Sequence, residues 1–542
     1  MDQTALSSDS VLEMLLKTNR PPTDQEKAII RESMGPAQAK LEVVETQISD
    51  TIAHIQALKA QVERAETKLQ RLHEEEAVIL ESFADHRRVS SPFRNIPEDV
   101  LREICIACVA DDIPKLYYRA RTASPYVLAQ ICSGLRNIAL TTPRIWASMR
   151  VQLGGFDCDN PAGYDREYSI LARRAIKWFG RAGKLALTVC IEDVRSAYAN
   201  FEGADSGSII LFDALLSYST RWEELRFNSN CTVACTPMLR IAALTAVDVP
   251  LLRSVSIHLD FLLSDPVFHD SKFLTIPSLK RVTLKVNTVQ IVAFDWANLT
   301  SVTLHGATPQ HPSLSTGAIA SILQQTRSLV FCDIAVGWNH SEHYHSTISL
   351  PLLKTLILKE HVSNINSSGA PSILDLIVTP LLQIFRICGT FLDLSLSDFL
   401  KRSPLIRKLS LPYSKEDTSL LDMMKLLRQC PSLAILSLWP TKWRRIHEAD
   451  GFLRAFVEEG DSGVLCPRLQ TFDFAGNVNY TPQTLRLFLE SKHGEIDMPN
   501  VLPWKRVLIS TREIKATETR QQILDLVSEK NAAGLDVQVI CS

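Results

Sequence analysis

Apolar residues recur in three rhythms along this chain, and each rhythm predicts a different element. Between residues 41 and 83 the period is seven. Leu41, Ile48, Ile55, Val62 and Leu69 are followed by Glu76 and Phe83, while Val44, Thr51, Leu58, Ala65, Leu72 and Ile79 interleave three residues later. No proline follows Pro36 and no glycine follows Gly35 until well past this stretch, so a long heptad helix is predicted over residues 36–90. At ~1.5 Å per residue the seam from 41 to 83 is a rod of roughly 60 Å. A single apolar stripe on such a rod needs a partner: a second copy (a homodimer through residues 41–83), the N-terminal segment folded back, or the body of the protein. Ile52 and Leu80 broaden the stripe, which suits packing on a wider surface. Residues 1–35 read as a polar lead-in. Within them Thr23-Asp24-Gln25-Glu26 has the form of a capping box, and Pro21-Pro22 blocks a helix from running through.

The second rhythm, spacings of three and four, occupies residues 91–150. Val100, Leu101, Ile104, Cys105 and Cys108 predict one short helix, and Leu128, Ile131, Cys132 and Leu135 another. Pro92 and Pro97 stiffen the approach to the first helix, and Asp99 lies in its first turn, where a carboxylate offsets the positive helix end. Pro143 interrupts the segment that follows, and Trp146 adds a large apolar side chain. Three helices this short bury little among themselves, so part of their apolar surface is expected to wait for a partner.

The third rhythm fills residues 151–542. An L-x-x-L-x-L template matches ten times: Trp222/Leu225/Phe227, Leu252/Val255/Ile257, Leu279/Val282/Leu284, Leu299/Val302/Leu304, Leu329/Cys332/Ile334, Leu353/Leu356/Leu358, Leu382/Phe385/Ile387, Ile406/Leu409/Leu411, Leu433/Leu436/Leu438 and Leu469/Phe472/Phe474. Successive matches start 20 to 36 residues apart, close to the leucine-rich-repeat period, and a proline precedes many of them. Asn230, Asn287 and Asn477 fall at the template's asparagine position. An irregular solenoid is therefore expected, capped at its start by a helix over 171–179, a stop at Gly183 and a strand through Leu185, Leu187 and Val189. Its expected end is a helix over 514–530, a break at Gly534 and a strand through Leu535, Val537 and Val539. The predicted fold class is α/β: a long N-terminal helix, a small all-α module and a repeat array.

Bulk composition narrows the function. The chain has 542 residues, 46% of them apolar and 22% charged, with a net charge of −2. That balance asks for neither nucleic acid nor an anionic membrane. The N-terminus lacks the pattern of a signal peptide, and no apolar run approaches the ~20 residues that span a bilayer. Twelve cysteines, such as Cys190, Cys332 and Cys388, are scattered, mostly in apolar runs, and read as reduced thiols of a cytoplasmic or nuclear protein.

Chemistry is sparse. Cys105-x-x-Cys108 has metal-like spacing but no second pair, and Cys231 with Cys235 lacks further ligands. His340, His343 and His345 with Glu342 form the one histidine cluster, and a polar loop is the favoured reading there. Nothing matches G-x-S-x-G, a P-loop, a dinucleotide fingerprint or H-E-x-x-H. The expectation is no enzyme, no cofactor and no metal. Binding is the better reading. The side chains between the last two apolar positions of each template point away from a core: Arg226, Ser256, Thr283, Thr303, Asp333, Ile357, Arg386, Ser410, Ser437 and Asp473. That mixed, mostly polar surface suits a protein partner and not a phosphate stripe. Trp439, Trp443 and Arg444, near one rim, either form a recognition hot spot or pack on the next helix.

Residues 92–146 also resemble a family. Pro92-Phe93-Arg94-Asn95-Ile96-Pro97-Glu98-Asp99-Val100-Leu101, then Ile131-Cys132-Ser133-Gly134-Leu135-Arg136, then Thr142-Pro143-Arg144-Ile145-Trp146 fall in the order of an F-box. Leu135-Arg136 stands where the family usually has Trp-Arg. With Leu15-Leu16, Asn19 and Pro21-Pro22 ahead of the long helix, residues 11–150 are similar to a large group of F-box proteins from mushroom-forming fungi. The resemblance implies a substrate receptor of a cullin-RING ubiquitin ligase. A Skp-type adaptor and its cullin would dock on Pro92, Ile96, Pro97, Asp99, Val100, Leu101, Ile104, Leu128, Ile131, Leu135 and Trp146. An unknown target protein would bind the array at Arg226, Asp333, Arg386, Trp439, Trp443 and Arg444. The second reading is a non-catalytic coiled-coil scaffold that keeps the helical module for another contact.

Overall fold

The computed structural model describes residues 8–18, 20–89, 95–110, 113–116, 124–154, 161–194, 205–229, 236–259, 271–286, 295–306, 314–337, 346–361, 372–389, 393–413, 420–440, 447–457, 464–476, 478–492, 501–511 and 517–541. The chain divides into two units, residues 1–97 and 98–542. Asn230, Asn287, Asn477, Cys231, Cys235 and the 340–345 histidine cluster lie outside the described residues.

The first unit is two helices, α1 (Ser8–Thr18) and α2 (Asp24–Val89). α1 packs on α2, and Val11 is buried. The capping box forms: the Thr23 N–H donates to the Glu26 carboxylate at 2.8 Å, and the Glu26 N–H donates to the Thr23 hydroxyl at 3.4 Å. The Arg20 guanidinium, followed by these Thr23 bonds, pulls the Glu26 carboxyl down to about 2. Helix α2 therefore starts at residue 24, not 36, and Pro36 lies inside it. A capped first turn starts the helix. One proline removes a single backbone donor, while the turns on either side keep theirs. From residue 31 to residue 83 every position of α2 is exposed.

The second unit begins with three helices, α3 (Glu98–Ala110), α4 (Ser124–Ile131) and α5 (Ser133–Thr141), and a short 3-10 turn, Pro143–Trp146. A parallel sheet follows. Its main strands are β1 (Ser148–Leu153), β2 (Leu187–Asp193), β3 (Trp222–Ser229), β4 (Ser254–Leu259), β5 (Arg281–Lys285), β6 (Ser301–His305) and β7 (Phe331–Gly337). They continue with β8 (Thr355–His361), β9 (Ile384–Gly389), β10 (Lys408–Tyr413), β11 (Ile435–Pro440), β12 (Thr471–Phe474), β13 (Arg506–Thr511) and β14 (Asp536–Cys541). Each pairs with the next in chain order, and a further two-residue strand, Leu314–Ser315, pairs beside β7.

All ten template matches form strands of this sheet, and none of their thirty apolar side chains is more than 4% exposed. The middle apolar position runs in register from Val255 through Val282, Val302, Cys332, Leu356, Phe385, Leu409 and Leu436 to Phe472. One face of the sheet thus builds a single core with residues of the connecting helices, such as Ile319, Phe399, Met423 and Phe488. The end elements are Pro161–Arg181 before β2 and Thr517–Ala532 before β14. Gly183 (φ 59°) and Gly534 (φ 90°) terminate them in the left-handed region.

The expected boundary at residue 150 falls inside a strand. β1 starts at Ser148, and Val109, Leu116, Ile145 and Trp146 belong to the sheet's core. Residues 113–116, in the connection from α3 to α4, pair with β1: the Leu116 N–H donates to the Arg150 carbonyl at 2.7 Å, and the Arg150 N–H to the Pro114 carbonyl at 2.8 Å. Those bonds occupy the free edge of the first strand.

Candidate functional site

Two surfaces collect the residues singled out by sequence. The first is on α3 and α4. Cys105, Leu135 and Ile138 form a small buried cluster, with Leu101 and Leu128, both half-buried, packed against it. Beside those two leucines the polypeptide turns apolar side chains to solvent. Val100 is 45% and Ile104 42% exposed, one turn apart on α3, and Val127 is 43% and Ile131 61% exposed, one turn apart on α4. Pro97 and Asp99 are exposed and Ile96 is half-buried; Pro92 lies outside the described residues. Val127 was missed by sequence, although its i, i+4 relation to Ile131 was there to be read.

Leu135 and Trp146 do not belong to this surface. Leu135 seals the small cluster, and its N–H is capped by the Cys132 sulfur at 3.4 Å. Trp146 is fully buried: its indole N–H donates to the Ala139 carbonyl at 2.7 Å, its ring meets Tyr126 and Trp178, and the Arg181 guanidinium lies 4.5 Å over it. The reason is the repeat rhythm. Met149 and Val151 stand in register with Val189 and Ile191, which stand in register with Leu225 and Phe227. Trp146/Met149/Val151 therefore occupies the same template as Trp222/Leu225/Phe227. Trp146 opens the sheet's core; it is not a plug for another chain.

The second surface is the outward face of the sheet. Arg226, Ser256, Thr283, Thr303, Asp333, Ile357, Arg386, Ser410, Ser437 and Asp473 form one continuous register row, with only Ser410 buried. Parallel sheets are ordinarily covered on both faces; among the described residues Arg226 and Arg386 of this row are exposed and most of the others half-buried. Near the middle, His305 Nε2 lies 2.8 Å from the Asp333 carboxylate, and Lys359 Nζ lies 3.4 Å from the same ring nitrogen and 3.9 Å from Asp333. Asp333 thus lies within hydrogen-bonding reach of His305 and ion-pairing reach of Lys359, one on each flanking strand. Further along, the exposed Arg386 guanidinium stands 5.5 Å from the half-buried Trp439 ring. Toward β13, burial raises the Asp473 carboxyl against the opposing pull of Arg506. Arg226 pairs at 2.8 Å with Glu224 on its own strand. Trp443 and Arg444 lie outside the described residues.

Among the described residues no group of three or more His, Cys, Asp or Glu side chains is placed to hold a metal, and no helix is long and apolar enough to cross a membrane. Cys105 is buried and Cys108 exposed, so the Cys-x-x-Cys pair is split between core and solvent. Cys190, Cys332, Cys430 and Cys466 are buried free thiols, and burial pushes each above the ordinary thiol range. Such thiols are poor nucleophiles at neutral pH.

The sequence matches no family model and no curated protein.

Proposed function

We propose that this chain is a substrate receptor of a cullin-RING ubiquitin ligase. In this reading residues 92–146 are an F-box that docks a Skp-type adaptor, and residues 148–541 are a leucine-rich-repeat-like solenoid that holds a target protein. The chain does no chemistry of its own. Tethering the target beside a ubiquitin-loaded enzyme raises its effective concentration and makes transfer effectively intramolecular. The place of action is the cytoplasm or nucleus.

The observation that carries the reading is the pair of exposed apolar steps Val100/Ile104 and Val127/Ile131, on the two helices whose Leu101 and Leu128 pack against a sealed cluster. Four branched aliphatic side chains held open by a finished core have the character of an interface centre, not of an unfinished fold. The solenoid reading is supported by the strand order, which follows chain order throughout, and by the in-register apolar rows.

The test is affinity purification with mass spectrometry from cells expressing the chain, against an Ile104→Asp, Ile131→Asp variant. Both residues are exposed, so the charges are solvated in the free chain and are buried unpaired only in a complex. The adaptor and cullin are expected with the wild type and absent with the variant. Wild-type material carrying neither sinks the assignment.

A further inference from the structure

We infer that residues 41–83 of α2 form a parallel two-stranded coiled coil with a second copy of this chain. The inference is independent of the adaptor reading. The face is uncovered: α1 reaches only the start of α2, and the seam residues Ile48, Ile55, Leu58, Val62, Leu69 and Leu72 are all exposed.

The spacing identifies the kind of occupant. A straight α-helix has 3.6 residues per turn, so apolar residues spaced seven apart drift about 20° per heptad around it. Over the six heptads from 41 to 83 that drift reaches about 120°, too far for one stripe on a straight helix to stay against a globular surface. Only a left-handed supercoil with another helix of the same period keeps the seam closed.

Residue types identify the copy number and orientation. Ile48, Ile55 and Val62 are β-branched at the first apolar position of their heptads, and Leu58 and Leu72 take the second. That combination favours two parallel strands. In that arrangement Lys40 of one copy faces Glu45 of the other across the seam, an attractive pair. Glu76 meets its own copy at a core position and is the one like-charge mismatch, so it weakens the dimer near its C-terminal end.

Light scattering on the purified full chain should give twice the 60.6 kDa monomer mass. Ile55→Asp with Val62→Asp should return the monomer with the tryptophan emission unaltered, since both positions are exposed in the single chain and all eight tryptophans follow residue 98. Glu76→Leu should lower the dissociation constant by about tenfold or more. Thr51→Cys, at a core position, should cross-link to itself under mild oxidation, because only the parallel in-register arrangement sets residue 51 against residue 51. A monomeric wild type, a dimer that survives the double aspartate change, or a Thr51→Cys chain that does not cross-link beyond the wild type overturns the inference.

Discussion

Trp146 and Trp178 stand edge to face, with centroids 4.8 Å apart and planes 76° apart, and they join the helical module to the first strand of the sheet. Trp178 also donates to the Ser148 carbonyl at 3.2 Å. Both rings are fully buried. Trp146→Ala leaves a large cavity at that joint and should cost about 3–5 kcal/mol. Urea denaturation followed by far-UV circular dichroism measures it. A loss below about 1 kcal/mol would show that the module and the sheet do not share a core. The same variant should lose adaptor capture through unfolding, whereas Ile104→Asp with Ile131→Asp should lose it with an unchanged denaturation midpoint.

The template located ten strands but passed over Trp146/Met149/Val151, and the reason is local. Met149 and Val151 are a weaker apolar pair than Leu and Leu, and Pro143 made the segment look like the end of a helical module. Trp504/Val507/Ile509 repeats the lapse at β13, where the same spacing begins with tryptophan. Inward positions were legible because a period of two with large apolar residues has one solution in a sheet. The outward row was legible for the same reason, and its ten members did fall in one register. What sequence could not supply was pairing: that His305 and Lys359 both turn to Asp333 depends on side chains from three strands. Nor could it separate Val100 and Ile104 from Leu101 and Cys105, since all four fit one broad helical stripe and only packing divides it into core and surface.

Gly476 has φ 129°, which residues with a side chain rarely adopt, and a Cβ there would collide with the Tyr413 hydroxyl and the Pro440 ring. The Tyr413 hydroxyl is already committed, donating to the Ala475 carbonyl at 2.9 Å. Gly476→Ala should therefore cost on the order of 3 kcal/mol, the sum of backbone strain and overpacking. Gly183→Ala is the control: its φ of 59° is strained too, but nothing lies within 4 Å of a Cβ. It should cost on the order of 1 kcal/mol. Equal losses in a denaturant titration would remove the clash from the account.

Lys492 is fully buried, donates to the carbonyls of Cys466 at 2.7 Å and Leu469 at 3.3 Å, and sits 4.7 Å over the Trp504 ring. Burial pushes its ammonium down from 10.5 to about 8. Between those values the unfolded chain keeps a proton that the folded chain has released, so this group adds stability as pH rises through the window and is neutral to pH below it. A shift of that size corresponds to about 3 kcal/mol. Lys492→Met has no proton to exchange. The stability of the wild type relative to the variant should therefore grow between pH 8 and 10.5 by an amount of that order. A difference that is flat or that shrinks across the window would mean the ammonium is not held as drawn.

Arg386 on β9 and Trp439 on β11 offer the sharpest test of the outward face as a recognition surface. Ser410 and Ser437 fill the register positions between and beside them with small side chains. Arginine and tryptophan dominate interface energetics when a partner excludes water around them. Neither is needed by the fold: Arg386 is exposed, and Trp439 points away from the core that Leu436 and Leu438 close. Trp439→Ala should leave the denaturation midpoint within about 1 kcal/mol of the wild type and leave adaptor capture intact. It should deplete, by tenfold or more (about 1.4 kcal/mol), the proteins cross-linked to the chain in cells in quantitative mass spectrometry. Arg386→Lys should fall between the two, because lysine keeps the charge but not the planar, multi-donor guanidinium. If both variants retain every cross-linked partner at wild-type abundance, recognition happens elsewhere on the chain.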